Sequence, residues 1–303
     1  MYKRMLVLLD GSKMAEVVFT YARELSGRLG LNLDLLHVCS PEESQQLPMR
    51  EAYIEHMAEI LQAQSQEIQN EVGVKSEKKP VKAVGKVVVG YPAEEILKYA
   101  DDNKVDVIML ATHGNSGIRR WGLGSVADKI IHEVNVPVWL VPASLHEGII
   151  YDNIPQRAIL VPLDGSKLAE EVIPQVKELT RQRGVATTIM LINVVKPASP
   201  RLSSEDKSLL GEDVASLNTA GEQYLKKMAR KLTDDGFIAE YEQLVGEPAE
   251  EIVRYAAAYQ PRLIVMSTHG RSGFSRFVFG STAENVLRRL QKTPVFLIRP
   301  TRE

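Results

Sequence analysis

Short, nearly unbroken apolar runs alternate along this chain with longer stretches whose apolar positions recur every three or four residues. In the first half the runs fall at 4–9, 32–38, 84–89, 106–111 and 136–141, and the helical spacing at 12–29, 49–72, 92–103 and 125–134. The second half repeats the order, with runs at 158–163, 187–194, 238–244, 263–266 and 295–298. A strand covered on both faces reads as a continuous apolar run, whereas one with a wet face alternates. Strict alternation of such strands with helices predicts a parallel sheet, because parallel neighbours need a crossover and crossovers are right-handed. Each half is therefore expected to be a five-stranded doubly wound α/β domain with helices on both faces of its sheet.

The halves are copies of one another. Residues 5–18 and 159–172, offset by 154, share 10 identities in 14 positions, centred on Leu-Asp-Gly-Ser-Lys. Residues 90–136 and 246–292, offset by 156, share 18 in 47, among them Gly-x-Pro-Ala-Glu-Glu-Ile and Thr-His-Gly-x-Ser-Gly. Two tandem domains of about 150 residues follow, placed at 1–146 and 155–303 and joined by a connector between Pro142 and Pro155.

Composition narrows the function classes. The 303 residues carry 37 basic and 39 acidic side chains, a net charge of −2, and 44% are hydrophobic. Polybasic nucleic-acid binders and disordered tails need a more lopsided balance, so neither class fits. The single cysteine, Cys39, excludes an intrachain disulfide, and no Cys/His spacing matches a zinc site. The first apolar run stops after five residues, too short for a signal sequence or a membrane span, so a cytoplasmic location without membrane or nucleic-acid partners is expected.

Leu9-Asp10-Gly11-Ser12-Lys13 and Leu163-Asp164-Gly165-Ser166-Lys167 fall where the first strand of each half gives way to a helix. A turn glycine and a serine N-cap account for two of these residues. The aspartate stands at the carboxyl end of its strand, the edge where open α/β sheets bind ligands, and a ligand role and a structural one stay equally open for it. Gly90-Tyr91-Pro92-Ala93-Glu94-Glu95 and its copy Gly246-Glu247-Pro248-Ala249-Glu250-Glu251 read as helix starts, since Pro suits the first helical position and Glu complements the positive end.

The most informative stretches follow the fourth strands, at 111–125 and 267–281. Both keep Gly114/Gly270, Gly117/Gly273 and Gly124/Gly280 in register while the residues between them change, and both enter a helix through Gly-Ser. Such a loop offers backbone N–H groups and a positive helix end to an anion, phosphate above all. The plainer alternative is a surface loop with a capped helix. Neither a P-loop nor Gly-x-Gly-x-x-Gly is present. His113 and His269 have no carboxylate or nucleophile fixed nearby in sequence and are assigned no catalytic role.

With these residues in place, each half resembles a universal stress protein domain of the UspA type, and the resemblance covers essentially the whole chain. Nucleotide-binding members of that family carry Gly-x2-Gly-x9-Gly-[Ser/Thr]. Here the pattern reads Ala111-x2-Gly114-x9-Gly124-Ser125 and Ser267-x2-Gly270-x9-Gly280-Ser281, so a small residue replaces the first glycine. The Asp-Gly-Ser opening, a second strand ending His37-Val38 or Asn193-Val194, and a final Pro-Val-hydrophobic strand complete the likeness.

The resemblance implies a Rossmann-like fold of the adenine nucleotide alpha hydrolase-like kind, with strand order 3-2-1-4-5 in each half. Strands one and four would then lie side by side at the topological switch point, with Asp10 and the 111–125 loop facing one crevice. By the same resemblance the backbone of Val38 or Val194 would meet adenine, and Asp10 or Asp164 the ribose. The backbone N–H of Ala111 or Ser267 would meet the nucleotide, and Gly114, Gly124, Ser125 and Val126, or Gly270, Gly280, Ser281 and Thr282, would cradle the phosphates. The implied cofactor is ATP or AMP, with Mg or Mn bound through the phosphates, since no clustered carboxylates would hold a metal separately.

Arg119, Arg120 and Arg276 are read as solvated, and Trp121, Phe277 and Phe279 as packing between the halves or against helices. The halves are expected to pair through their last strands, with a homodimer and an unidentified protein partner left open. The expected function is that of a nucleotide-binding regulatory protein of the stress response. Slow ATP hydrolysis is the enzymatic alternative, and a scaffold that has lost nucleotide and binds another ligand or a protein is the third. Residues 40–70 and 196–231 differ most between the copies, which implies that the two sites are not equivalent.

Overall fold

A computed structural model describes residues 2–13, 15–71, 80–112, 123–143, 158–183, 186–196, 206–269, 279–290 and 292–300; the side chains of residues 44, 182, 183 and 206–218 are outside that description. The first half contributes strands β1 (Arg4–Leu9), β2 (Asn32–Cys39), β3 (Ala83–Val89), β4 (Val107–Ala111) and β5 (Val138–Val141). Its helices are α1 (Val18–Leu29), α2 (Leu47–Glu71), α3 (Pro92–Asp102) and α4 (Ser125–Glu133). The second half supplies β6 (Ile159–Pro162), β7 (Thr188–Val195), β8 (Ile238–Val245), β9 (Leu263–Ser267) and β10 (Val295–Ile298). Its helices are α5 (Lys167–Glu170), α6 (Val172–Arg183), α7 (Asp206–Asp234), α8 (Pro248–Tyr259) and α9 (Ser281–Arg289).

All ten strands form one sheet in the order β3-β2-β1-β4-β5-β10-β9-β6-β7-β8. Each half therefore has the order 3-2-1-4-5, and within each half every pairing is parallel. The seam between halves is the exception: β5 and β10 run antiparallel, with Phe296 opposite Trp139. The last strands thus pair inside one chain.

Alternation along the strands builds one core on each face of the sheet. Met5, Val7 and Leu9 point to the layer shared with α1, α2, α6 and α7, whereas Leu6 and Leu8 point to the layer of α3, α4, α8 and α9. Both cores run through both halves. At the seam Phe296 packs against Trp139 at 5.1 Å and Tyr2 at 6.0 Å between ring centres. Arg299 donates to the carbonyls of His132 and Val134, closing the C-terminal end of α4. Phe279 is buried and meets the His132 ring at 5.2 Å, so it does pack between the halves.

Two expectations are corrected. The outer strands β3 and β8 are not covered on both faces: Val84, Val89, Ile238 and Val245 are exposed there, because an edge strand has a neighbour on one side only. The helix read over 12–29 is broken. A 3-10 turn at Ala15–Val17 precedes α1, and in the second half α5 precedes α6, because the Ser12 and Ser166 hydroxyls cap a short first turn of their own at Ala15 and Ala169.

Helix packing separates the halves further. A Cβ on Gly27 would lie 2.7 Å from Ser65 O and Ile68 Cβ, so glycine lets α2 lie directly on α1. At the offset of 154 its counterpart is Arg181, whose guanidinium stands 5.0 Å from the Phe237 ring centre.

Candidate functional site

The two Asp-Gly-Ser turns have the same construction. Gly11 and Gly165 take φ of 78° and 83°, a left-handed conformation that favours glycine. Ser12 and Ser166 each donate their backbone N–H to the preceding aspartate Oδ1 at 2.9 Å, and each serine hydroxyl accepts from the N–H three residues on. The aspartate therefore has a structural task, closing an Asx turn, that the sequence reading did not find. With one oxygen tied to its own turn, the half-buried carboxylate is held in a fixed orientation at the carboxyl end of the strand.

One residue along β2 and β7 lies the next tie. His37 and Asn193 are buried, and each bonds the carbonyl that precedes the aspartate: His37 Nδ1 donates to Leu9 O at 2.9 Å and Asn193 Nδ2 to Leu163 O at 2.7 Å. Two different residues thus clamp the same pair of strand ends. The bond to Leu9 puts the proton on Nδ1 and leaves Nε2 as an acceptor, which Arg50 Nη1 meets at 2.9 Å. Burial pushes the His37 pKa below its ordinary 6.5, with the Arg50 charge adding to the effect and the Leu9 bond, Glu43 and Asp10 opposing it.

The starts of α4 and α9 complete the constellation. Gly124 and Gly280 are their N-caps, extended in conformation and without a side-chain cap. The N–H groups of the first turn, at Ser125, Val126 and Ala127 or Ser281, Thr282 and Ala283, are therefore offered to the crevice with the positive end of the helix behind them. Gly124 and Gly280 also donate to Thr112 O and Thr268 O, pinning the helix start to the end of the fourth strand. A Cβ at Gly280 would lie 2.9 Å from Thr268 O, so glycine is sterically required there, whereas at Gly124 the distance is 3.8 Å.

In the second half these parts line one cleft of about 680 Å³, a volume in the range of small-molecule sites. Asp164, Val194, Ser267, Gly280, Ser281 and Thr282 all border it, so every described second-half residue singled out from the sequence is brought to one cavity. The Ser267 hydroxyl accepts from the His269 N–H at 3.2 Å, turned onto its own backbone. His269 lines the same cleft, its Nδ1 2.9 Å from Thr268 Oγ1. In the first half Asp10, Val38, Ala111, Gly124, Ser125 and Val126 occupy the equivalent places on β1, β2, β4 and α4. Gly114, Gly270, His113, Arg119, Arg120, Arg276, Trp121 and Phe277 lie outside the described residues.

Several cleft residues were given no ligand role from the sequence: Gly165 and Asn193, which were read only as parts of motifs, and Lys196, Gly221, Tyr224 and Ile252. Gly221, inside a 29-residue helix, was the legible signal, because glycine in a helix interior is unfavourable unless something approaches closely. Lys226, Lys227, Arg230 and Lys231, on the same helix, are exposed, with Lys226 and Arg230 beside β8 rather than at the cleft. Among the described residues no group of three His, Cys, Asp or Glu side chains is placed to hold a metal, and no helix is long and apolar enough to cross a membrane.

Comparison with known proteins agrees with this geometry. The universal stress protein family matches residues 1–142 and again 156–299. Universal stress protein Slr1230 of Synechocystis is 25% identical over 98% of this chain and its own full length. Universal stress protein MJ0531 of Methanocaldococcus jannaschii is 28% identical over 46% of this chain and 82% of its own. Among solved structures, a universal stress protein from Archaeoglobus fulgidus shares the fold at a TM-score of 0.63 with 22% identity, covering 98% of both chains. This chain belongs to the universal stress protein family, as a tandem of two such domains.

Proposed function

We propose that this tandem universal stress protein binds an adenine nucleotide, ATP or AMP, in the cleft of its second half, and that occupancy regulates its association with a partner in the stress response. The observation that carries the reading is the uncapped first turn of α9 opening into the same cleft as Asp164. Free N–H groups and a positive helix end suit a phosphate tail. The Asp164 carboxylate in the same cleft suits ribose hydroxyls, which are hydrogen-bond donors. Val194 lines the cleft as well, and an adenine edge would find main-chain partners there. Mg or Mn would arrive with the phosphates.

The test is a thermal-shift series with ATP, AMP and no ligand. A nucleotide at 100 times its dissociation constant adds about 2.7 kcal/mol of stability. An unmoved melting temperature with every nucleotide, at millimolar concentration and with Mg present, would reject the reading.

A further inference from the structure

We infer that the chain closes its own first cleft: from the helix position that Gly221 holds in the second half, Arg50 reaches over the Asp10 turn onto His37, so the tandem protein takes one ligand, in its second half. The ligand class rests on the function proposed above; the closure rests on geometry alone.

The equivalence of the two positions comes from packing. Helix α2 buries Ile54, Ala58 and Leu61, and α7 buries Leu225, Ala229 and Leu232, the same i, i+4, i+7 spacing on the same layer of the sheet. Matching Ile54 to Leu225, an offset of 171, also matches Tyr53 to Tyr224 and Arg50 to Gly221. The strands beneath correspond as well, since Leu35 pairs Gly85 as Leu191 pairs Tyr241.

The side chain at this position points into the crevice. Arg50 Nη1 lies 2.9 Å from His37 Nε2, and a Cβ on Gly11 would be 2.5 Å from the same nitrogen. Nη2 donates to Gln46 Oε1 at 2.9 Å and Glu43 Oε1 at 3.3 Å, both on the 3-10 turn Pro41–Gln46 that precedes α2. The guanidinium is thus fixed between the end of β2, the Asp10 turn and the entrance to its own helix. In the second half the residues equivalent to Gly11, His37, Arg50 and Tyr53 are Gly165, Asn193, Gly221 and Tyr224, and all four line the open cleft. A Cβ on Gly221 would meet Asn193 Oδ1 at 2.8 Å and Gln243 Nε2 at 2.2 Å, so those two side chains close on the helix backbone here and any larger residue must push them aside. A ligand lying between the Asp10 turn and the end of β2 must first break the Arg50 contacts with His37, Glu43 and Gln46.

Two measurements on the full chain decide the matter. Calorimetric titration with ATP should give one site for the wild type, two for Arg50→Gly, and at least tenfold weaker binding for Gly221→Arg. A wild type with two equal sites, or an Arg50→Gly chain that still binds one, overturns the inference while leaving nucleotide binding intact. The second measurement needs no nucleotide: the His37 ring followed by nitrogen-15 NMR should show the Nδ1–H tautomer and titrate below 6.5, with its midpoint rising in Arg50→Gly. Identical titration in both chains means that Arg50 does not lie on His37, and the closure is wrong. A shifted titration in a chain that binds no ATP upholds the closure and discards the proposed ligand.

Discussion

The two halves keep one sheet order and one turn chemistry, and they part company at the long helix that follows the second strand. In the first half Gly27 draws α2 onto α1, and α2 sends an arginine across the Asp10 turn. In the second half Arg181 stands where Gly27 would be, and α7 presents Gly221 to an open cleft. A duplicated domain can thus diverge in what it admits while its Asp-Gly-Ser turns stay unchanged, because the admitting residue sits on a different element. Variation on a fixed framework concentrates where the framework does not depend on it.

The comparison is broken most forcefully at the seam. Phe296 is fully buried between Trp139 and Tyr2, and Phe296→Ala should cost about 3–5 kcal/mol. Both tryptophans, Trp121 and Trp139, belong to the first half, and Trp139 touches Phe296 itself, so the midpoint of the tryptophan transition, rather than its intensity, reads the stability of that half. Denaturant unfolding should show the first half losing stability from a substitution in the second; an unmoved tryptophan transition would mean that the halves are thermodynamically separate. Next in size is the helix contact. Gly27→Ala should cost about 1–3 kcal/mol by forcing α2 off α1, whereas Arg181→Ala should change stability by less than about 0.5 kcal/mol. Equal effects would remove the packing difference drawn above.

The cleft residues sharpen the contrast. Asp164→Asn keeps an oxygen for the Ser166 N–H but loses the charge, and should weaken ATP binding about tenfold, about 1.4 kcal/mol. Asp10→Asn should leave the affinity unchanged, and a matching loss there would make the two sites equivalent. The smallest effect is a pH dependence confined to the first half. Because the folded pKa of His37 is held below 6.5, the unfolded chain binds more protons between that depressed value and 6.5. Stability therefore rises with pH across that window and levels off above it. His37→Asn, which copies the Asn193 tie to the strand end, should flatten the slope; urea midpoints on either side of pH 6.5 read it directly.

Much of this was legible in the sequence, for identifiable reasons. The strands declared themselves because buried parallel strands tolerate almost no polar residues, and the tandem order followed from the repeat. The Asp-Gly-Ser and Gly-Ser motifs were readable because each is a local device acting within four residues of itself. Two things were hidden. The Asx turn that employs Asp10 and Asp164 looks the same in sequence as an aspartate waiting for a ligand. Arg50 and Gly221 carry no motif at all: their meaning depends on helix register, and the segments between them and the preceding strands differ too much for any fixed offset to align them.

The antiparallel seam has one more consequence. In a pair of separate single-domain proteins such a junction would come apart on dilution, and each bare strand edge would be open to any complementary edge nearby. Joined in one polypeptide, β5 and β10 meet at an effective concentration that the solution cannot lower. Among the described residues the sheet ends at β3 and β8, so a further copy of the chain adding strand to strand would find its template at those two ends.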